Sequence, residues 1–389
     1  MSCRRMGVGT PHSSHHLQLV HTPPQHEYTM RSTAVSLLAG LLLLLAVVCY
    51  CACAAAATAP RPLLVRPSAS SSRSRSRNAI ASTNSNMLSV YFHAESCPQL
   101  ETTVRSTVDA ALQQNARLTA GLLRIFFHDC FPQGCDASIL LDNGERQLPP
   151  NAGLQQEALQ LIEDIRAKVH AACGPTVSCA DITVLATRDA VGLAGGPAIP
   201  DVPLGRLDSR APASSNDVST LPPPSATADD LIAAFAAKGL DATDLVALSA
   251  GAHTVGKARC SSFGDIAGPA DDDITRCITN TCTAPGSAAQ LRDLDFLTPA
   301  VFDNLYFVEL TLRKNKGVML PSDQALATDP RTSWLVQGFA DNHWWFFDQF
   351  KASMVKMSQL QGNVAGEIRS SSCFKANSGA AAAVTAASA

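Results

Sequence analysis

Arg124-Ile125-Phe126-Phe127-His128-Asp129-Cys130, followed at once by Phe131-Pro132-Gln133-Gly134-Cys135-Asp136-Ala137-Ser138, puts a fixed cation and a titratable base four positions apart. In a helix, residues at i and i+4 stack on one face, so both groups would address the same point in space. An imidazole can take a proton and give it back, and a guanidinium can stabilise negative charge developing beside it. Heterolysis of a peroxide O–O bond needs both, because one oxygen loses a proton, the other gains it, and the leaving oxygen is anionic in between.

A second constellation is Leu248-Ser249-Ala250-Gly251-Ala252-His253-Thr254-Val255-Gly256. A lone histidine among small residues is more often structural than a ligand. Here the small neighbours would let a flat macrocycle approach the backbone, and an axial imidazole is one of the ways in which haem iron is held. Each of these two histidines is followed directly by an oxygen-bearing residue, Asp129 or Thr254. Asp129 diverges from the His128 face by about 100° if the stretch is helical. Asp129, Gly134, Asp136 and Ser138 then offer carboxylates, a carbonyl and a hydroxyl within one short loop, a hard-oxygen set that suits calcium rather than zinc.

Taken together, these stretches resemble the signatures of the secretory plant peroxidases, the class III haem peroxidases. The likeness runs from about Leu88 to Cys373. It implies an all-α haem peroxidase fold, with haem b held between a distal and a proximal helical half. His128 would be the distal acid–base group, Arg124 its cationic partner, and Asn151, in Pro149-Pro150-Asn151, the amide that accepts the His128 Nδ1 proton. His253 would be the axial ligand and Asp323, in Pro321-Ser322-Asp323-Gln324, the carboxylate accepting its N–H, which makes an imidazole a stronger donor. Pro222 matches the proline lining the channel for reducing substrates. The resemblance adds Pro132, through its carbonyl, and the outer Glu145 to the first calcium set. It assigns Thr254, Asp295, Thr298, Val301 and Asp303 to a second calcium ion.

Three departures stand out. Ala250 is one residue more than the family pattern has before the proximal histidine. The family's Leu-Arg-Pro-Ser-Ala-Phe reads Leu154-Gln155-Gln156-Glu157-Ala158-Leu159, and its Gly-Arg-Arg-Asp reads Gly205-Arg206-Leu207-Asp208, which leaves one Arg–carboxylate support unaccounted for. None of these removes a group that cleaves peroxide.

The elements that must position these groups read as helices. Glu101–Leu112 puts Val104, Val108, Ala111 and Leu112 on one face, and 180–190, 229–238, 303–315 and 348–360 repeat that period. Gly195-Gly196-Pro197, Leu221-Pro222-Pro223-Pro224 and Lys316-Gly317 punctuate them, with no alternating β-run longer than a few residues and no internal repeat. A chain of 389 residues with 46% hydrophobic content can bury a core as one large domain or two small ones. A formal charge of −3 gives no reason to expect nucleic acid or an anionic membrane surface.

The folded body is expected over 88–375. Residues 1–59 read as an extension and a secretory signal, with an apolar run from Ala34 to Ala57 after Arg31 and an effective start at Met30. An uncleaved signal anchor is the alternative, and the only case in which a membrane would be a partner. Residues 60–87 form a disordered Ser/Arg/Pro-rich linker, and 376–389 an Ala-rich tail that is either a trimmed sorting signal or plain disorder. The destination is then extracellular, in the cell wall, with the vacuole as the alternative.

Of thirteen cysteines, nine fall in the body, enough in an oxidising compartment for four bridges and one thiol left over. Spacing leaves the connectivity open. The resemblance implies Cys97–Cys173, Cys130–Cys135, Cys179–Cys373 and Cys260–Cys282, which leaves Cys277 as the odd thiol, read as a buried or idle cysteine.

The expected activity is reduction of hydrogen peroxide with one-electron oxidation of phenolic or similar small donors, by a monomer. Two rivals differ in class. A non-catalytic wall protein on the same fold would show damage at Arg124, His128 or His253. A zinc module built on His128, Cys130 and Cys135 would need reduced thiols.

Overall fold

Val104 and Val108, together with Leu100, turn to one side of the first helix and are fully buried there, the outcome that the apolar period predicts. The computed structural model describes residues 88–264, 272–314, 317–361 and 365–378. Among them, twelve α-helices carry the chain. α1 is Leu100–Gln114, α2 Leu118–Gln133, α3 Gln156–Cys173, α4 Cys179–Leu193, α5 Ser215–Val218 and α6 Ala228–Ala236. α7 is Ala242–Ala252, α8 Asp273–Cys282, α9 Leu305–Leu312, α10 Pro321–Thr328, α11 Ser333–Asp341 and α12 His343–Ser358. The leader at 1–59, the linker at 60–87 and most of the tail lie outside the described residues. No helix among the described residues is long and apolar enough to cross a membrane.

The helices expected from periodicity are present, with shifted ends where local chemistry intervenes. The segment expected to start at Asp303 starts instead at Leu305, because the Asp303 carboxylate accepts the Leu305 amide and holds the preceding turn open. The last helix begins five residues earlier than the period suggests. His343-Trp344-Trp345-Phe346-Phe347 carries no polar face to read, but the Asn342 side chain accepts from Trp345 N and caps it.

Two apolar cores flank α2. Leu118, Leu122 and Ile125 pack with α1, α3 and α4, while Leu123, Phe126, Cys130 and Phe131 pack with α6, α7 and α9–α12. Arg124 and His128 therefore leave α2 along the strip between its two buried faces. The only strands among the described residues are β1, Lys257–Arg259, and β2, Leu291–Asp293, paired antiparallel with Lys257 opposite Asp293. This ribbon aligns the residues just after His253 with those just before Asp295.

Disulfides close Cys97–Cys173, Cys130–Cys135, Cys179–Cys373 and Cys260–Cys282, the pairs implied by the resemblance. One expectation is corrected here. Cys277 is itself disulfide-bonded, not an idle thiol.

The Arg–carboxylate support left open by Leu207 exists in another form. Arg206 binds fully buried Asp181 at 2.8 Å, with His93 Nε2 on the same carboxylate at 2.9 Å. Asp208 is held by the amides of Cys179, Ala180 and Arg369, and burial raises it to about 6. Burial alone would raise Asp181 as well, but the His93 hydrogen bond and the Arg206 charge hold it below the ordinary value. A carboxylate depressed in the folded state stabilises the protein above its unfolded value, about 3.9, and that stabilisation fades as pH falls further. Arg206→Met should therefore cost about 3–5 kcal/mol in chemical unfolding at pH 7, because it strips the cation from a buried pair. Asp181→Asn should flatten the acid-side loss of stability. An Arg206→Met protein with wild-type stability would show that the pair carries no such role.

Candidate active site

α2 stays helical from Leu118 to Gln133, through Pro132 in its last turn, so Arg124 and His128 do share a face. Both are tied to one short turn, Pro149–Asn151. Arg124 donates to Pro150 O at 3.1 Å and to Gly153 O at 3.3 Å. His128 Nδ1 lies 2.7 Å from Asn151 Oδ1, and Asn151 Nδ2 donates to Glu145 O at 2.9 Å. That second bond fixes which way the amide points. An amide oxygen only accepts, so Nδ1 carries the proton and Nε2 keeps a free lone pair. Burial first, and the Arg124 charge second, push His128 down to about 4, so near neutral pH it is an uncharged base. Arg124 is lowered by the protein around it and then by the like charge of Arg259.

On the second constellation, α7 runs unbroken through the extra residue Ala250 and ends with His253 as its C-cap. The last turn tightens, with His253 N bonded to Ala250 O and Thr254 N to Gly251 O. His253 Nδ1 lies 2.7 Å from Asp323 Oδ2. The carboxylate is wholly buried, while 30% of the imidazole stays exposed. With Nδ1 occupied, Nε2 is the nitrogen left for a ligated metal. That polarity, a buried carboxylate behind a partly open imidazole, fits an axial iron ligand. Sequence reading missed Tyr306, whose hydroxyl also donates to Asp323 Oδ2 at 2.7 Å. Burial, and then the Asp323 charge, raise this phenol well above its ordinary pKa, so it stays a donor. Nothing in the sequence around Tyr306 marks it, since a tyrosine at a core position of a helix reads as packing.

The first oxygen set converges. Asp129, Asp136, Ser138 and Glu145 are all buried. Asp129 Oδ1, Ser138 Oγ and Glu145 Oε1 are buried without a hydrogen-bond partner, while the other carboxylate oxygens of Asp129 and Glu145 accept the amides of Ala137 and Ala213. Ala137 between them takes a left-handed φ of 57°, unusual for a residue with a Cβ, and turns Asp136 and Ser138 inward. Burial, and then the Asp136 charge, push Asp129 well above the carboxylate range, and burial brings Glu145 to about 7. Orphaned acids of this kind need a cation, and the donor set fits a hard one. Among the described residues no three His, Cys, Asp or Glu side chains form a metal cluster by themselves, so carbonyls and the Ser138 hydroxyl must complete any such site. Gly134, at φ 109°, turns the chain at the end of α2. The Pro132 carbonyl, expected to be a ligand, accepts Lys238 Nζ at 2.7 Å, a second cation that sequence reading missed.

The second set gathers around Thr254. Its hydroxyl lies 3.3 Å from Asp295 Oδ2 and 3.4 Å from Asp303 Oδ1, and Asp295 also accepts the Thr298 amide at 2.7 Å. Val301 N donates to Thr298 O in the same loop, leaving the valine side chain 44% exposed. Pro222 is half-buried, in a stretch anchored by Ser322 N donating to Pro224 O, one residue from Asp323. The zinc alternative is overturned, because Cys130 and Cys135 are bonded to each other.

Comparison with known proteins gives the family. Residues 104–342 match the family model described as Peroxidase. The chain is 46% identical over 286 residues to a cationic peroxidase of Sorghum bicolor, covering 70% of this chain and 77% of that protein. It is 44% identical over 304 residues to Peroxidase 42 of Zea mays, covering 77% and 92%. With Peroxidase 12 of Arabidopsis thaliana the identity is 43% over 297 residues, covering 73% and 81%.

Proposed function

The chain belongs to the peroxidase family, as a class III plant peroxidase, and from that premise we propose how its own residues perform the reaction. It is a haem peroxidase, reducing hydrogen peroxide at the expense of a reducing substrate. The observation that carries the assignment of residues is the shared turn. Pro150 and Asn151 hold Arg124 and His128 together, so cation and base keep a fixed relation to one another.

Haem b, when bound, would supply the iron and the redox capacity for reducing the peroxide. His253 would hold the iron through Nε2, and Asp323 would draw on its Nδ1 proton and enrich the donor nitrogen. His128 Nε2 takes the proton from one peroxide oxygen and returns it to the other. The Arg124 guanidinium stabilises the negative charge that the leaving oxygen carries in between. Asn151 keeps the base in its reactive tautomer.

Two calcium ions complete the reading. Asp129, Pro132, Gly134, Asp136 and Ser138 would hold the first, with Glu145 as outer partner. Thr254, Asp295, Thr298, Val301 and Asp303 would hold the second. The unpartnered buried oxygens support the first set and the convergence on Thr254 the second. The donors would be small phenols, oxidised one electron at a time near Pro222. The catalytic domain is placed at 88–375, monomeric, preceded by a secretory leader over 1–59 and a linker over 60–87, with an Ala-rich tail over 376–389. Secretion to the wall or vacuole follows from that leader. A non-catalytic wall role is disfavoured because Arg124, His128 and His253 are all present.

A visible absorption spectrum of the purified protein before and after peroxide tests the assignment as a whole. His128→Ala should slow the peroxide step by more than the ~10²–10⁴-fold usual for a general acid–base group, because it serves as both acid and base. Arg124→Leu should cost somewhat less. Stopped-flow absorbance measures both, and a wild-type rate in the His128 variant would remove its role. Elemental analysis should find two calcium ions per chain. Chelation should lower activity reversibly, and Asp136→Ala should mimic loss of the first ion. Active protein free of calcium would contradict this.

A further inference from the structure

Asp323 serves two donors with one atom. Its Oδ2 lies 2.7 Å from His253 Nδ1 and 2.7 Å from the Tyr306 hydroxyl. Its Oδ1 is buried and meets no hydrogen-bond partner. Both donors therefore compete for the same oxygen, while the other oxygen of the carboxylate takes no share of either bond. Tyr306 is fully buried in α9, and its ring meets the His253 ring edge-on at a centroid distance of 6.0 Å. Packing alone would be met by phenylalanine, so the hydroxyl has to be explained by what it touches.

We propose that Tyr306 is a positioning residue that sets how strongly Asp323 draws on the His253 imidazole proton, and through it how electron-rich the axial nitrogen is. The proposal rests on the reading of His253 as iron ligand. A hydrogen bond donated to a carboxylate oxygen withdraws charge from it and makes it a poorer acceptor for a second donor. With Tyr306 bonded, the imidazole keeps more of its own proton and less imidazolate character. Asp323 pushes electron density toward the ligated nitrogen, and Tyr306 moderates that push from the other side of the same oxygen. Since Tyr306 and the carboxylate are both buried, the moderation does not depend on a mobile solvent molecule.

The test uses the haem-loaded enzyme and two readouts besides turnover: the ferric/ferrous midpoint potential and the iron–imidazole stretching frequency of the ferrous form. Tyr306→Phe should move the potential to more negative values and the stretch to higher frequency. Asp323→Asn should do the reverse. In the double variant the Tyr306→Phe shift should vanish, because its effect passes through the carboxylate, a non-additivity that two independent sites would not show. Should Tyr306→Phe fold poorly, a ring-fluorinated tyrosine at 306, with a more acidic and stronger-donating hydroxyl, should shift the potential positive instead. If Asp323→Asn shifts the potential and neither change at Tyr306 does, the inference falls and the proximal reading stands. If the Tyr306→Phe shift survives in the Asp323→Asn background, the residue acts by another route and the inference also falls. An unchanged potential in Asp323→Asn would overturn the proximal reading and the inference with it.

Discussion

The hydrogen bond from His128 Nδ1 to Asn151 Oδ1 is the constraint on which the distal side depends. It decides the tautomer, and the tautomer decides whether a buried imidazole is a base or an inert donor. The bond holds because Asn151 is itself fixed by its amide on the Glu145 carbonyl. The turn that carries Asn151 also receives the Arg124 guanidinium. A single short segment therefore sets the protonation of one group and the position of the other. Neither side chain has to find its geometry by itself.

That segment is joined to the buried acids. Glu145 sends its carbonyl to Asn151 and its carboxylate toward the Asp129, Asp136 and Ser138 oxygens, while Asp129 follows His128 directly in α2. Burying several carboxylates without a cation is unfavourable, and the raised values of Asp129, Asp136 and Glu145 express that cost. A cation placed there would stabilise the loop and, through Glu145, the base. Thr254 repeats the arrangement beside His253, with the β1–β2 ribbon bringing Asp295 to it. Two oxygen loops next to two histidines make metal binding and catalytic geometry parts of one structural problem.

The proximal side solves a different problem. His253 needs a strong acceptor behind it, and the fold supplies Asp323 from α10 and Tyr306 from α9, both buried against α7. The insertion at Ala250 leaves this intact because the last turn of α7 tightens around it. The Asp181–Arg206 pair likewise supplies an Arg–carboxylate support although position 207 is leucine.

Much of the site was legible in the amino-acid sequence because its chemistry is local. Arg124 and His128 share a helix face by spacing, Asp129 and Thr254 adjoin the histidines, and Val104 and Val108 announce a buried stripe. Family likeness extended this to Asn151, Asp323 and the four disulfide pairs, none of which spacing could have paired. Tertiary structure decided what depends on groups distant in the chain. Tyr306 on Asp323, Lys238 on the Pro132 carbonyl and Arg259 beside Arg124 are separated by between 17 and 135 positions, and each reads in isolation as core or surface. The bonded state of Cys277 was hidden because spacing does not pair cysteines, and the early start of α12 because its first turn carries no polar face to read. A sequence shows which groups are present and which share a local period, but hydrogen-bond competition, burial and like-charge proximity exist only once the chain has folded.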